Sequence, residues 1–251
     1  WFELFNPSAQ PVALGGLHLT DDMTDRKRFQ IPPLSFISHS TNGFVQFFAD
    51  DNPQNGPDHV NFRLNNGGEI IALTSTNGEV IHVIEFDRQA TGASEGSLPD
   101  GATNIVRFPE TPSPAESNFL PLEHVAISEA LTHTDLPLED AIEVHNLSTE
   151  TIDIGGWFLS DRNDELQLFR IPLDTLIPAG GFVVFYEHDF NPAPGFLPGF
   201  ALSSSRGDQI YLSEADSAGQ LTGYRAVVRF GAAENGVSFV RHETSEGFDF
   251  T

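Results

Sequence analysis

The sequence of 251 residues contains no cysteine, a single lysine (Lys27) and a single methionine (Met23). Without cysteine there is no disulfide framework, no thiol nucleophile, no iron–sulfur cluster and no thiolate zinc site. Positive charge is also scarce: 12 Lys+Arg stand against 36 Asp+Glu, for a formal charge of -24. A surface this negative repels phosphate backbones and anionic headgroups, so adhesion to nucleic acid or to a lipid surface is not expected, whereas cations or basic partners suit it. Long apolar runs are missing as well. The longest stretches, such as residues 181–186, fall far short of the ~20 residues that span a bilayer, and no basic start followed by an apolar segment opens the sequence. It begins at Trp1, directly in a strand-like pattern, as a processed or trimmed piece of a longer protein would.

What is present suffices for folding. With 39% hydrophobic residues, 22 of them Phe, the chain can bury a core in one large or two ordinary domains. An internal repeat selects two. Residues 2–21 lie over residues 142–161 at an offset of 140, with seven of twenty positions identical: Glu3/Glu143, Asn6/Asn146, Ser8/Ser148, Gly15/Gly155, Gly16/Gly156, Leu19/Leu159 and Asp21/Asp161. Phe29-Gln30-Ile31-Pro32 then matches Phe169-Arg170-Ile171-Pro172, and Gly68 to Leu73 matches Gly207 to Leu212. Between the copies, residues 109–123 carry four prolines and no pleat or helix period, the pattern of an extended connector. The boundary is placed near Asn118, giving domains over 1–118 and 119–251.

Within each copy, short runs of Val, Ile, Phe and Thr are cut every ~8–12 residues by Asn-Pro, Gly-Gly, Asn-Gly or Pro-Asp-Gly, as in an all-β sandwich or barrel. Helices have little room. Thr76-Asn77-Gly78-Glu79 separates two such runs and predicts a type I′ hairpin. The second copy opens with a good strand, Val125 to Ala130, for which the first copy has no counterpart, since it starts at the residue matching Ala141. If that strand is absent from the first sandwich, Phe2, Glu3, Leu4 and Phe5 border an unpaired sheet edge. A strand from another chain, from a copy of this one, or from an upstream segment would fill it.

The order of these motifs resembles the lamin tail domain: Ile142-Glu143-Val144-x-Asn146, Gly155-Gly156-Trp157-x-Leu159-Ser160-Asp161, Ile177-Pro178, Gly181-Phe182-Val183-Val184-Phe185, and the late Gly92 to Gly101 stretch with its Pro-Asp-Gly. Trp157 to Asp161 and Ile177 to Gly181 look like bacterial members. The resemblance implies two tandem immunoglobulin-like β-sandwiches, the first lacking its opening strand. It also implies a non-enzymatic module outside the cell or at its surface, of the kind found beside secreted nucleases, phosphatases or adhesive repeats. Head-to-tail strand donation would build such modules into a filament or surface layer.

Chemistry has few footholds. Gly92-Ala93-Ser94-Glu95-Gly96 fits a nucleophile pattern, but the Ser97-Leu98-Pro99-Asp100-Gly101 that follows cannot open the helix an elbow requires. Nine His show no H-E-x-x-H, so zinc catalysis has no support. Calcium is the more reasonable cofactor. Asp161, Asn163, Asp164 and Glu165, with Asp21, Asp22 and Asp25 in the other copy, put several hard oxygens into one loop of each repeat. A calcium-dependent ligand-binding accessory module of a larger secreted enzyme is therefore the alternative function. Glu3 and Glu143, at equivalent strand positions, are expected to close a turn against Asn6 or Asn146. Phe190, Phe196, Leu197 and Phe200 form an apolar, proline-rich loop that is either packed on the sandwich or offered to a partner.

Overall fold

A computed structural model describes residues 1–39, 43–192, 199–245 and 247–251. The chain divides into two compact units, Trp1–Asn118 and Phe119–Thr251. Both are built from strands, and the one helix among the described residues, α1 (Glu187–Phe190), is a single turn.

Unit 2 shows the complete arrangement. Its strands are β11 (Leu120–Pro121), β12 (Val125–Leu131), β13 (Ala141–Asn146), β14 (Ile152–Asp153), β15 (Phe158–Ser160), β16 (Phe169–Arg170), β17 (Leu176–Ile177), β18 (Phe182–Tyr186), β19 (Asp208–Ala215), β20 (Leu221–Phe230), β21 (Ser238–Thr244) and β22 (Gly247–Phe250). One five-stranded sheet runs β18-β13-β12-β21-β22 and the other β11-β20-β19-β15-β16. Strands such as β13 alternate, burying Ile142 and Val144 while Glu143 stays half-exposed, because one face meets the core and the other meets solvent. The inward residues of both sheets, among them Ile127, Ile142, Val144, Leu159, Ile210 and Leu212, form one core. The fold is an immunoglobulin-like β-sandwich.

Unit 1 repeats the pattern with β1 (Phe2–Phe5), β2 (Val12–Ala13), β3 (His18–Thr20), β4 (Phe29–Gln30), β5 (Phe36–Ile37), β6 (Phe44–Phe47), β7 (Glu69–Thr74), β8 (Val80–Phe86), β9 (Ser94–Ser97) and β10 (Ile105–Phe108). Four strands pair as β4-β3-β7-β8, matching β16-β15-β19-β20. The register agrees: Leu73 faces His82 as Leu212 faces Ala226. The other sheet differs. Where unit 2 has five strands, unit 1 has two separate pairs, β1-β6 and β9-β10.

One local expectation is corrected. The β7–β8 connection is not type I′, because Asn77 keeps a negative φ. Gly78 N–H donates to the Ser75 carbonyl at 2.9 Å and Gly78 alone is left-handed, at φ 87°. This is a type I turn over Ser75–Gly78 with the glycine left-handed at its end, closed by the Ser75 N–H donating to Glu79 at 2.8 Å. In unit 2 the stretch from Arg241 is strand through Thr244 and pairs with β22.

Candidate functional site

The expected interaction edge, Phe2, Glu3, Leu4 and Phe5, is β1. Phe2 stacks on Phe47 and Phe62 with ring centroids 5.6 and 6.2 Å apart, Leu4 packs against the core, and Phe5 lies over Phe44 at 4.8 Å. Apolar burial therefore fixes the inner face of the strand. Its two long edges are not alike. Asn6 N–H donates to Gly43 at 2.8 Å, so by the strand's two-residue alternation Leu4 and Phe2 bond β6 and the backbone groups of Glu3 and Phe5 point the other way. Among the described residues no strand pairs with that side. Leu98 N–H donates to Asn104 at 3.0 Å on β10's side, which likewise aims Glu95 and Ser97 of β9 away from β10.

In unit 2, β12 fills this position, bonding β13 on one side and β21 on the other. In unit 1, the connector touches both borders. Ala115 N–H donates to Glu3 Oε2 at 2.8 Å, and Asn118 Nδ2 donates to the Ser97 carbonyl at 3.2 Å. Asn118 N–H also donates to Asp100 at 3.0 Å, Ser117 Oγ to the same carboxylate, and Ser113 Oγ to Asn118 at 3.0 Å. Residues 113–118 thus satisfy, with an irregular segment, a carbonyl and a carboxylate that a strand would otherwise answer.

Glu3 carries the electrostatic signature of the site. Burial drives its carboxyl up to about 7; the Ala115 N–H works against the shift and the nearby Asp100 charge adds to it. Its counterpart Glu143 has a different partner. Where the β12–β13 register slips between Ile127 and Glu129, the extra residue Ser128 donates its hydroxyl to Glu143 Oε1 at 2.7 Å. Neither glutamate closes a turn against Asn6 or Asn146. Those asparagines close the turns themselves: Asn146 donates to the carbonyls of Glu150, Ile177 and Pro178 and accepts from Ser148, and Asn6 repeats this with Gln10, Ser38 and Ser8. The twice-occurring Asn-x-Ser was the sequence signal for this role.

The acidic loops are organised by protein groups. Ser160 Oγ donates to the Arg162 and Glu165 carbonyls, and Thr20 Oγ1 does the same to Asp22 and Asp25. Arg162 pairs with Asp164 and with Glu165, each at 3.0 Å, and Arg28 with Asp21 at 2.6 Å. The Thr24 N–H and hydroxyl hold the Asp22 carboxyl below its ordinary range, whereas burial pushes Asp161 up to about 6. Asn163 sits in the same loop. Among the described residues no three His, Cys, Asp or Glu converge as metal ligands.

Phe190 and Phe200 are core side chains, 0% and 5% exposed and stacked at 4.7 Å; Phe196 and Leu197 lie outside the described residues. Ser94 sits in β9 opposite Phe108, in a strand and not at a strand-to-helix turn. Among the described residues no helix is long and apolar enough to cross a membrane.

Two sheets packed face to face, with side chains spent on packing and turn closure, define a structural and interaction module of the immunoglobulin-like class. Residues 121–228, within unit 2, match the Lamin Tail Domain family. No curated protein and no solved structure matches the chain.

Proposed function

We propose that the chain is a non-enzymatic structural or adhesive module acting outside the cell or at its surface, that unit 1 is a second lamin tail domain, and that it assembles by accepting an extended strand between β1 and β9. The observation that carries this reading is the split sheet. The same repeat is five-stranded in unit 2 and divided into β1-β6 and β9-β10 in unit 1, with only the connector bridging the borders. Pairing of an added strand with a sheet edge is a general mode of protein association. The repeated residues and the shared β3-β7-β8 register support one family for both units. Arg162 already pairs with Asp164 and Glu165, and Arg28 with Asp21, which weighs against the calcium-dependent alternative at these carboxylates.

Amide hydrogen exchange on the full chain tests the proposal. Adding a peptide with the sequence of residues 125–131 should slow exchange at Glu3 and Phe5 of β1 and at Glu95 and Ser97 of β9. Unchanged exchange at all four, with the peptide at millimolar concentration, would sink it.

A further inference from the structure

Unit 1 holds a cavity to which β1, β9 and the connector contribute no lining residue. It encloses about 200 Å³. Leu14, Ile31 and Val45 supply aliphatic walls, Phe36 and Phe47 supply aromatic ones, and Asp58 is the one charged residue of the lining. The walls are held from both sides. Leu14 N–H and Gly15 N–H both donate to the Ser35 carbonyl, at 2.9 and 3.1 Å, which ties the end of β2 to the start of β5. Across the cavity, the alternation of β6 turns Val45 and Phe47 inward, and Phe48 N–H donates to the Asp58 carbonyl at 2.9 Å, fastening the Asp58 backbone beside that strand.

Leu14, Ile31 and Phe47 are buried, whereas Phe36 is 60% exposed, so the aromatic wall is reachable from solvent. The fold itself does not require an aromatic residue there. Ala13 pairs with Phe36 as Asp153 pairs with Leu176, so the matching position of unit 2 carries an aliphatic side chain. The Asp58 carboxylate is also unanswered: among the described residues it takes part in no ion pair, the neighbouring His59 being held by Asp50 at 2.7 Å.

These features select a class of occupant. Ring faces attract a cation through their quadrupole, most of all a quaternary ammonium. Aliphatic walls cannot replace the oxygen shell of a hard inorganic ion. An anion is opposed by Asp58 and by the formal charge of -24, and a neutral hydrocarbon leaves the carboxylate without a counter-charge. The volume also fits, since an apolar cavity of about 150 Å³ accommodates benzene. We infer that this cavity of unit 1 is a binding site for a small alkylated ammonium ion, with the methyl groups against Leu14, Ile31 and Val45 and the charge shared between Phe36, Phe47 and Asp58. The site is independent of strand acceptance.

Choline and its uncharged carbon isostere, dimethylbutanol, titrated into the full chain test the inference, with affinity and location both read from amide chemical shifts. Choline should bind at millimolar concentration, shift the amides of Leu14, Val45 and Asp58, and bind about tenfold more tightly than the isostere. Phe36→Leu, which copies unit 2, and Asp58→Asn should each weaken choline by about threefold and leave the isostere unchanged. Both positions lie outside the buried core, and an unchanged amide spectrum in each variant shows that the fold is kept. No shifts with choline, equal affinities for choline and the isostere, or choline binding unchanged in both variants would each overturn the assignment. Phosphatidylcholine vesicles should leave the protein free in solution; capture by vesicles without binding of free choline would make the ligand a lipid headgroup and likewise overturn it.

Discussion

Glu3 and Glu143 are the same residue of one repeat in two surroundings, and the difference is one hydroxyl. Ser128 reaches Glu143 from a bulge in the neighbouring strand, while Glu3 has a single backbone N–H from the connector. With its folded pKa at about 7 against an ordinary 4.5, Glu3 takes up a proton more readily in the native state than in the unfolded one. Its contribution to stability is present below about pH 4.5 and is lost as pH rises through 7. Unit 1 should therefore melt at progressively lower temperature from pH 5 to pH 8, and Glu3→Gln should flatten that slope; superimposable melting curves for the two proteins across this range would contradict the assignment. Asp161 acts with the same sign in unit 2 over a lower window, from 3.8 through about 6. The equivalence of the two glutamates was legible in the sequence from the repeat. Their partners were not, because Ser128 reaches Glu143 only through a register slip, and the Ala115 contact to Glu3 joins residues 112 apart. For the acidic loops the sequence shows the oxygens but not that Arg162, Arg28 and two hydroxyls turn into the same loops.

Strand positions were legible from alternation, and the turns only in part. Asn77-Gly78 signals a hairpin, but whether one or both residues turn left-handed depends on the loop length set by the Ser75–Glu79 closure, which the dipeptide does not show. Glycines at the entry to the β7 and β19 strands illustrate a requirement visible only in space. Gly68 and Gly207 both have positive φ, 106° and 81°, and a Cβ would meet the Phe86 carbonyl oxygen at 2.9 Å and the Phe230 carbonyl oxygen at 2.2 Å respectively. Left-handed backbone alone costs a non-glycine residue ~1–2 kcal/mol. Gly207→Ala should exceed that, with a loss of ~3 kcal/mol or more, because Phe230 belongs to the paired backbone of β20 and cannot retreat. Gly68→Ala should cost less. Chemical denaturation of the two variants gives the ranking, and a reversed order would show that the close approach does not dominate.

At the scale of the whole chain the units are alike in plan and unequal in content. Among the described residues, the main core cluster of unit 2 contains eighteen buried residues and that of unit 1 nine, so unit 1 should be the less stable. Part of the deficit is Val125 and Ile127, side chains whose burial contributes ~1.5–3 kcal/mol each. Differential scanning calorimetry should resolve two transitions, the lower one assigned to unit 1 by exchange or by selective proteolysis; a single transition with one calorimetric enthalpy would mean the halves unfold together. The internal repeat itself was readable from the offset of 140 in the sequence. That the connector folds back over both borders was not, since its prolines and small polar residues carry no periodicity.

That folded-back connector has a consequence for the resting molecule. Open sheet borders are the usual starting point of runaway self-pairing, and here the outward carbonyl of Ser97 and the carboxylate of Glu3 are already engaged by side-chain and loop donors that complete no ladder. Residues 113–118 thus act as a stopper in the resting molecule, and a strand of the proposed kind would have to surrender the Ala115–Glu3 and Asn118–Ser97 contacts in exchange for a full row of backbone bonds.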